Sequence, residues 1–268
     1  MRPVLLALTL LLALVAARGM RSWAADEVAL PVDVRWDGGL DRLGREAERR
    51  MPTIRRQVAR RLGWETQEGA EILIVRGLAR MREEARARVP SWAVGVAISG
   101  AGRIVIRADL LAAGQGSSLE AVLRHEWVHL AWGRRAGANR RLLPLWAEEG
   151  IAEEIGGGIS VDAGAALDVA AAFDRLLPFQ ELEARFPKEA READLAYKQS
   201  RSWIQHVTRT AGWEPLRAVL GDLAEWPESD GRPREAAFAE SVRSRTGLSV
   251  GEWASAWRQG LILSLIHI

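Results

Sequence analysis

One short run of residues has the types and the spacing needed to hold a metal ion. The chain reads HEWVH from His125 to His129. Residues four apart lie on one face of an α-helix, so both imidazoles can reach the same ion. Glu126 directly follows the first histidine, which predicts a carboxylate beside the ion that takes a proton from a water molecule. Two imidazoles with a carboxylate as third ligand favour zinc, with a fourth position left open for water.

An HExxH sequence is short enough to arise by chance, so the surrounding sequence must show whether it belongs to a metal site. Ser117 and Glu120 match a capping box, which predicts a helix that runs through the motif to about Arg135. Outside the motif the histidines are His206, for which we predict a structural role far along a later helix, and His267, to which we assign none. This context favours a metal site over coincidence.

The third ligand separates the classes of HExxH proteins. A metzincin would have a glycine and a third histidine where Trp132 and Arg135 stand, and a deformylase would need a cysteine, which this chain lacks. A second acidic helix is predicted from Leu145 to Ile155, and it begins in the sequence PLWAEEGIAE at Pro144.

Here the sequence resembles the gluzincins of the peptidase MA group, whose second zinc helix often reads P-x-W-x-x-E-G-x-A-E. The resemblance implies that Glu149, the residue before Gly150, is the third zinc ligand. Glu148 is the alternative and points about 100° away around the helix. Glu153, one turn after Glu149, is either a hydrogen-bond partner of a ligand histidine or a solvent-facing carboxylate.

Tyr197, the only tyrosine of the chain, lies at the start of a predicted helix. In the related aminopeptidases a tyrosine at this point donates a hydrogen bond to the tetrahedral oxyanion, and the resemblance implies this role for Tyr197. The alternative is a packing residue with a surface hydroxyl. The G-x-M-E-N strand with which aminopeptidases hold a free amine is missing, and residues 94–99 offer only strand backbone for an extended peptide. Aminopeptidase specificity is not expected.

The resemblance covers about residues 117–261 and implies a zinc-dependent peptidase. A zinc-activated water would hydrolyse a peptide bond of a peptide or protein substrate, with Glu126 as the general base. One alternative is a zinc-binding recognition or assembly module of the cell envelope with little turnover, and another is an exported helical structural protein without metal. Glu126 favours the peptidase, because a pure binder has no use for a general base beside zinc.

The elements that must position these residues fall into two halves. Residues 25–116 show strand and helix patterns in alternation, whereas residues 117–262 are mainly helical, with two or three helices after the second zinc helix. We predict an α+β fold: a small N-terminal mixed β-sheet layer, a mainly α-helical C-terminal half and a thermolysin-like zincin core. The elements predicted in the first half are a strand at 28–36, a helix at 40–62 broken or kinked at Pro52, a strand at 71–75 and a hairpin of 93–99 with 103–108.

The charge pattern and the composition argue against some kinds of partner and ligand. The chain has 37 basic and 35 acidic residues, and the two signs alternate along predicted helix faces, so no one-sign stripe for nucleic acid is present. No cysteine is available for disulfides or thiolate ligands. The 12 tryptophans mostly stand beside aliphatic residues, which predicts core packing. The sequence does not indicate an oligomeric state.

Both ends of the chain are predicted to lie outside the catalytic domain. Residues 1–24 combine Arg2, an apolar run and small residues before a cleavage site after Ala24, which predicts a signal peptide and an exported protein, whether periplasmic, extracellular or attached to the envelope. Arg18 and Arg21 follow the apolar run, so the alternative is an uncleaved N-terminal membrane anchor. Residues 263–268, LSLIHI, resemble a translated sequencing adapter, and we expect the catalytic domain to span 25–262.

Overall fold

The computed structural model describes residues 31–65, 69–112, 118–157, 163–227 and 234–266. The expected signal segment 1–24, Ser117 and His267 lie outside these residues. Within them the chain has a mixed sheet in its first half and a mainly helical second half, which confirms the α+β prediction. In the described part of the chain, no helix combines the length and the apolar character that crossing a membrane requires.

The sheet has four strands in the order β1-β2-β4-β3. The first three in this order are parallel, and β3 runs antiparallel to β4 at one edge. β3 and β4 form the predicted hairpin, joined by a 3₁₀ turn and by Gly102 at φ +64°. The strands are β1 (Val32–Trp36), β2 (Ala70–Val75), β3 (Gly95–Ile98) and β4 (Arg103–Arg107).

Ten helices lie in the described residues. Five of them follow the second zinc helix, where two or three were predicted. They are α1 (Asp41–Leu62), α2 (Leu78–Ala85), α3 (Ala108–Ala112), α4 (Leu119–Ala136), α5 (Leu145–Gly156), α6 (Ala163–Ala172), α7 (Ala190–Ala211), α8 (Trp213–Ala224), α9 (Arg234–Thr246) and α10 (Val250–Ile266).

The main core lies between one face of the sheet and the helices α1 and α4. Four isoleucines of the central strands are fully buried there, and they pack in one cluster with side chains of both helices. The other face of the sheet is covered by α2 in a smaller cluster. The isoleucines are Ile72, Ile74, Ile104 and Ile106. Burying this β-branched row fixes α4, the helix of the HExxH motif, against the sheet.

Aromatic side chains build the core of the helical half. The Trp146 ring packs 4.4 Å from Phe179, 4.9 Å from Trp203 and 5.7 Å from Phe238 between ring centroids. Trp257 joins the cluster and donates its indole N–H to Ser202. These contacts connect α5, α7, α9 and α10, and tryptophans pack here in the core as predicted.

Two local predictions are wrong in detail. Of the break or kink predicted at Pro52, the break is absent: helix α1 continues through this residue, because Pro52 lies on the exposed face, where the carbonyl that loses its donor is open to water. Helix α4 begins one residue later than the predicted capping box places it. Ser118 is the N-cap, and its hydroxyl accepts a hydrogen bond from the backbone N–H of Ala121 at 3.1 Å.

Gly44 of α1 is the position where the helix meets strand β1. A Cβ there would lie 2.2 Å from the ring of Trp36, whereas a Cβ at Gly221 of α8 would meet no atom within 4 Å. We expect Gly44→Ala to lower the free energy of unfolding by about 1–3 kcal/mol, because the clash outweighs the gain in helix propensity. Gly221→Ala should raise it by about 0.5–1 kcal/mol. Urea unfolding of both variants measures the difference, and shifts of the same sign would contradict the packing.

Candidate metal centre

Helices α4 and α5 bring three candidate ligand atoms to one point. Nε2 of His125 lies 3.1 Å from Nε2 of His129, because the two residues are one helical turn apart. Oε2 of Glu149, on α5, lies 3.3 Å from the first nitrogen and 3.2 Å from the second. The structure thus brings together the three residues that the sequence predicted as metal ligands.

The dimensions of this triangle fit a zinc ion. Ligand bonds of about 2.0–2.1 Å in a tetrahedral arrangement place neighbouring ligand atoms about 3.3 Å apart. Oε2 of Glu149 is buried and has no hydrogen-bond partner among the described residues, although it is close to both imidazoles. A buried carboxylate oxygen without a donor is costly unless it binds a cation. The donor set and its spacing therefore suit a divalent ion.

The outward nitrogen of each histidine faces a second carboxylate. Nδ1 of His129 lies 2.7 Å from Oε1 of Glu148, and Nδ1 of His125 lies 3.2 Å from Oε1 of Glu153. A carboxylate oxygen accepts a hydrogen bond, so each Nδ1 carries a proton, and Nε2 is the nitrogen that can bind a cation once it has lost its own proton. Glu149 therefore faces the centre, whereas Glu148 lies behind His129 and Glu153 lies behind His125.

Arg140 compensates the buried charge of Glu148. The Glu148 side chain is only 6% exposed, and Nη2 of Arg140 donates to its Oε1 at 2.7 Å. Arg140 also reaches the hydroxyl of Ser99, which donates to the backbone oxygen of His129. Sequence reasoning missed both residues. Arg140 stands in a stretch that reads as a linker, and Ser99 belongs to the hairpin turn, so no pattern in the sequence links them to the motif.

The buried charges of the centre attract positive charge. Burial disfavours the charged form of His129, but the carboxylates of Glu149 and Glu148 outweigh it and raise the pKa of His129 to about 10. Burial likewise opposes protonation of His125, yet the carboxylates of Glu149 and Glu153 hold its pKa well above the usual value. For Glu149 burial acts upward, but His129 and His125 lower its pKa far more. A proton and a metal ion therefore compete for the same place.

Glu126 lies against the edge strand β3. Its side chain is buried, and burial raises its pKa although His125 and His129 act in the opposite direction. A Cβ at Gly95 would lie 2.5 Å from Oε1 of Glu126, so only glycine leaves room for this carboxylate. The sequence carried a signal for this contact, because a glycine inside a strand often marks a close approach. A carboxylate with a raised pKa is suited to take up and release a proton.

Tyr197 lies on α7 beside His125, seven residues after the first residue of the helix and not at its start as predicted. Its ring centroid is 6.3 Å from the imidazole of His125, 5.9 Å from Trp92 and 4.8 Å from Phe186. Burial, with nearby carboxylates acting in the same direction, raises the pKa of Tyr197 well above its usual value. The hydroxyl therefore stays protonated at neutral pH and is available as a hydrogen-bond donor.

Two contacts fix α7 at this distance from the centre. A Cβ at Gly150 would lie 2.5 Å from the backbone oxygen of Ser200, so glycine after Glu149 lets α5 and α7 approach closely. Gln199 binds both backbone groups of Leu177, accepting from its N–H at 2.9 Å and donating to its oxygen at 2.6 Å. The glycine that follows Glu149 in the sequence motif is therefore required by the close packing of α5 against α7.

A cleft with two cavities opens at the centre. The smaller, about 160 Å³, lies beside Glu126, Glu153 and Tyr197. The larger, about 550 Å³, extends over His129 and Glu149. Trp92 and Tyr197 line both. His206 lines neither of them; its ring packs on Trp253 at 5.7 Å, and burial lowers its pKa, which agrees with a structural role.

Comparison with known protein families identifies the superfamily of this chain. A family model described as the Peptidase MA superfamily matches residues 54–261, so the match starts well before residue 117, where the resemblance read from the motifs began. It includes the strands β2 to β4 as well as both helices of the centre. No curated protein matches the chain significantly. The chain belongs to the peptidase MA superfamily.

Proposed function

We propose that this protein is a zinc-dependent peptidase. The observation that carries the proposal is the convergence of two imidazole nitrogens and one carboxylate oxygen at 3.1–3.3 Å, with Glu126 buried beside them. Membership of the peptidase MA superfamily supports it. Helix α4, packed against both α5 and the antiparallel edge strand β3, also agrees with a thermolysin-like zincin core, which is part of the proposal.

The protein side chains divide the chemistry among them. His125, His129 and Glu149 would hold zinc, which supplies a Lewis acid that polarises a carbonyl group and makes a water molecule more acidic. Glu126 takes the proton of the attacking water on its carboxylate and returns it to the leaving amine. The Tyr197 hydroxyl donates a hydrogen bond to the oxygen that becomes negative.

The surrounding residues orient these groups. Glu148 and Glu153 hold the two imidazole rings by their Nδ1 atoms, so the rings keep their Nε2 atoms directed at the centre. The outer edge of β3 offers backbone groups to which an extended peptide can bind as an additional strand. Because Gly95 has no side chain, a peptide on this edge would lie close to Glu126.

The proposal is tested by metal content and metal-dependent cleavage. We expect about one zinc per chain by elemental analysis. We also expect cleavage of a broad peptide library that a chelator abolishes and added zinc restores. Bound zinc without cleavage anywhere in the library would contradict the peptidase and favour a zinc-binding recognition module. A protein that takes up no zinc after reconstitution would contradict both.

A further inference from the structure

The larger cavity carries only positive charges outside the metal centre. Apart from Glu126 and Glu149, the acidic and basic side chains among its described lining residues are Arg88, Arg140 and Lys188. Arg140 is neutralised by its bond to the buried Glu148 described above. The cavity is therefore left with two cations, Arg88 and Lys188, and no carboxylate that lines it compensates them.

Arg88 and Lys188 are exposed and unpaired. Neither side chain has a hydrogen bond or an ion pair within the described residues. Most other basic side chains around the fold are engaged: for example, Arg80 pairs with Glu84, and the other lysine, Lys198, pairs with Asp194 at 2.7 Å. Some other basic side chains, such as Arg86 and Arg191, are also exposed and have no hydrogen bond or ion pair within the described residues, but Arg88 and Lys188 both line the same cavity.

The two cations come from different halves of the chain and are held at the same cavity. Arg88 precedes β3, and Lys188 precedes α7. The indole N–H of Trp92 donates to the backbone oxygen of Lys188 at 3.0 Å and so connects the two segments. The segment that carries Trp92 is fixed in turn by the buried Arg107, whose guanidinium donates to the backbone oxygen of Ser91 at 2.6 Å. Hydrogen bonds thus hold in place, at the cavity, the two segments that carry Arg88 and Lys188.

A part of a cleft that carries charge of one sign concentrates ligands of the opposite sign there, because its low-dielectric walls focus the field. We infer that the substrate is a polypeptide segment with a carboxylate close to the bond that is cut, either an acidic side chain or a free C-terminus. This inference rests on the proposed peptidase function and adds the chemical class of its substrate. The carboxylate would lie in the larger cavity between Arg88 and Lys188, away from Glu126.

Matched peptides test the inference. One series has both ends blocked and carries Glu, Gln or Lys at successive positions around the cleaved bond. A second series has no acidic side chain and either a free or an amidated C-terminus, which separates the two sources of the carboxylate. We expect kcat/KM to be about 10-fold higher for the carboxylate-bearing peptide at low salt. The preference should shrink at 1 M salt, where the Debye length falls to about 3 Å.

The same peptides with a fluorescent label should be tested for binding to the zinc-loaded Glu126→Gln variant by anisotropy, which requires no turnover. The double variant Arg88→Glu with Lys188→Glu should then reverse the ranking and favour the Lys peptide. The control is Arg86→Glu with Arg191→Glu, since both residues are exposed, lie two or three positions away and do not line the cavity. This control makes the same change in net charge and should keep the ranking.

The outcomes are distinct. Equal treatment of Glu, Gln and Lys peptides by the unchanged protein, or an equal shift in the control, overturns the inference. If carboxylate-bearing peptides bind preferentially but the unchanged zinc-loaded protein cleaves none of them, the preference of the cavity for carboxylates is supported and the proposed peptidase is contradicted. Peptides that are neither bound nor cleaved by the zinc-loaded protein overturn both.

Discussion

Glu126→Gln should bind zinc as the unchanged protein does and lose kcat by about 10²–10⁴-fold. Glutamine has nearly the same shape, so the packing against Gly95 is preserved, but its amide cannot take a proton from water. Burial raises the pKa of Glu126, so its carboxylate holds a proton taken from water more readily than an exposed carboxylate would. Peptide cleavage and zinc content measured on one preparation separate catalysis from metal binding.

The matched control for this variant is Glu120→Gln on the same helix. Glu120 pairs with Arg50 and Arg124 and lies outside the centre. It should leave kcat near normal, since an exposed ion pair contributes little. If Glu126→Gln retained substantial cleavage, the assignment of the general base would be wrong. If it lost zinc as well, the residue would have to be a ligand.

Glu149→Gln should weaken zinc binding more than Glu148→Gln does. The structure directs Oε2 of Glu149 at both Nε2 atoms, whereas the only imidazole nitrogen that Glu148 contacts is the outward Nδ1 of His129. Loss of an outer partner costs about 10–100-fold in metal affinity, and loss of a direct ligand costs more. Competition with a chelator of known affinity gives both values.

Comparing these two variants shows which of the two neighbouring glutamates is the third zinc ligand. From the sequence, this assignment rested on the family resemblance. The two substitutions are chemically identical and adjacent in sequence, so general effects on folding are matched as closely as the chain permits. Circular dichroism should show an intact fold for both. A larger loss of affinity for Glu148→Gln would reverse the assignment of the ligand.

The spacing rules of the helix explain why much of the centre could be predicted from the sequence. His125 and His129 share a face because they are four residues apart, and Glu153 shares a face with Glu149 for the same reason. The hairpin beside the motif was predicted from its glycines and its apolar strands. These features depend on residues that are close in sequence, where local geometry leaves few choices.

The remaining features depend on contacts between distant segments. Arg140 is bonded to Glu148 only because the turn after α4 folds back on α5, and no local pattern encodes that approach. The continuous helix through Pro52 depends on which face of α1 is exposed, which the surrounding core decides. The number of helices in the second half was also underestimated, since Gly212, at φ +83°, separates α7 from α8 and Gly247, at φ +79°, separates α9 from α10.

Because Tyr197 is the only tyrosine of the chain and lies beside His125, it is also a built-in spectroscopic reporter. Fluorotyrosine incorporated during expression would place a single fluorine nucleus at the centre, with no second tyrosine to assign. Its resonance would sense the arrival of zinc and of a peptide separately, in a protein whose 12 tryptophans make intrinsic fluorescence hard to interpret. Occupancy of the cleft could therefore be followed in the intact chain without any added cysteine or tag.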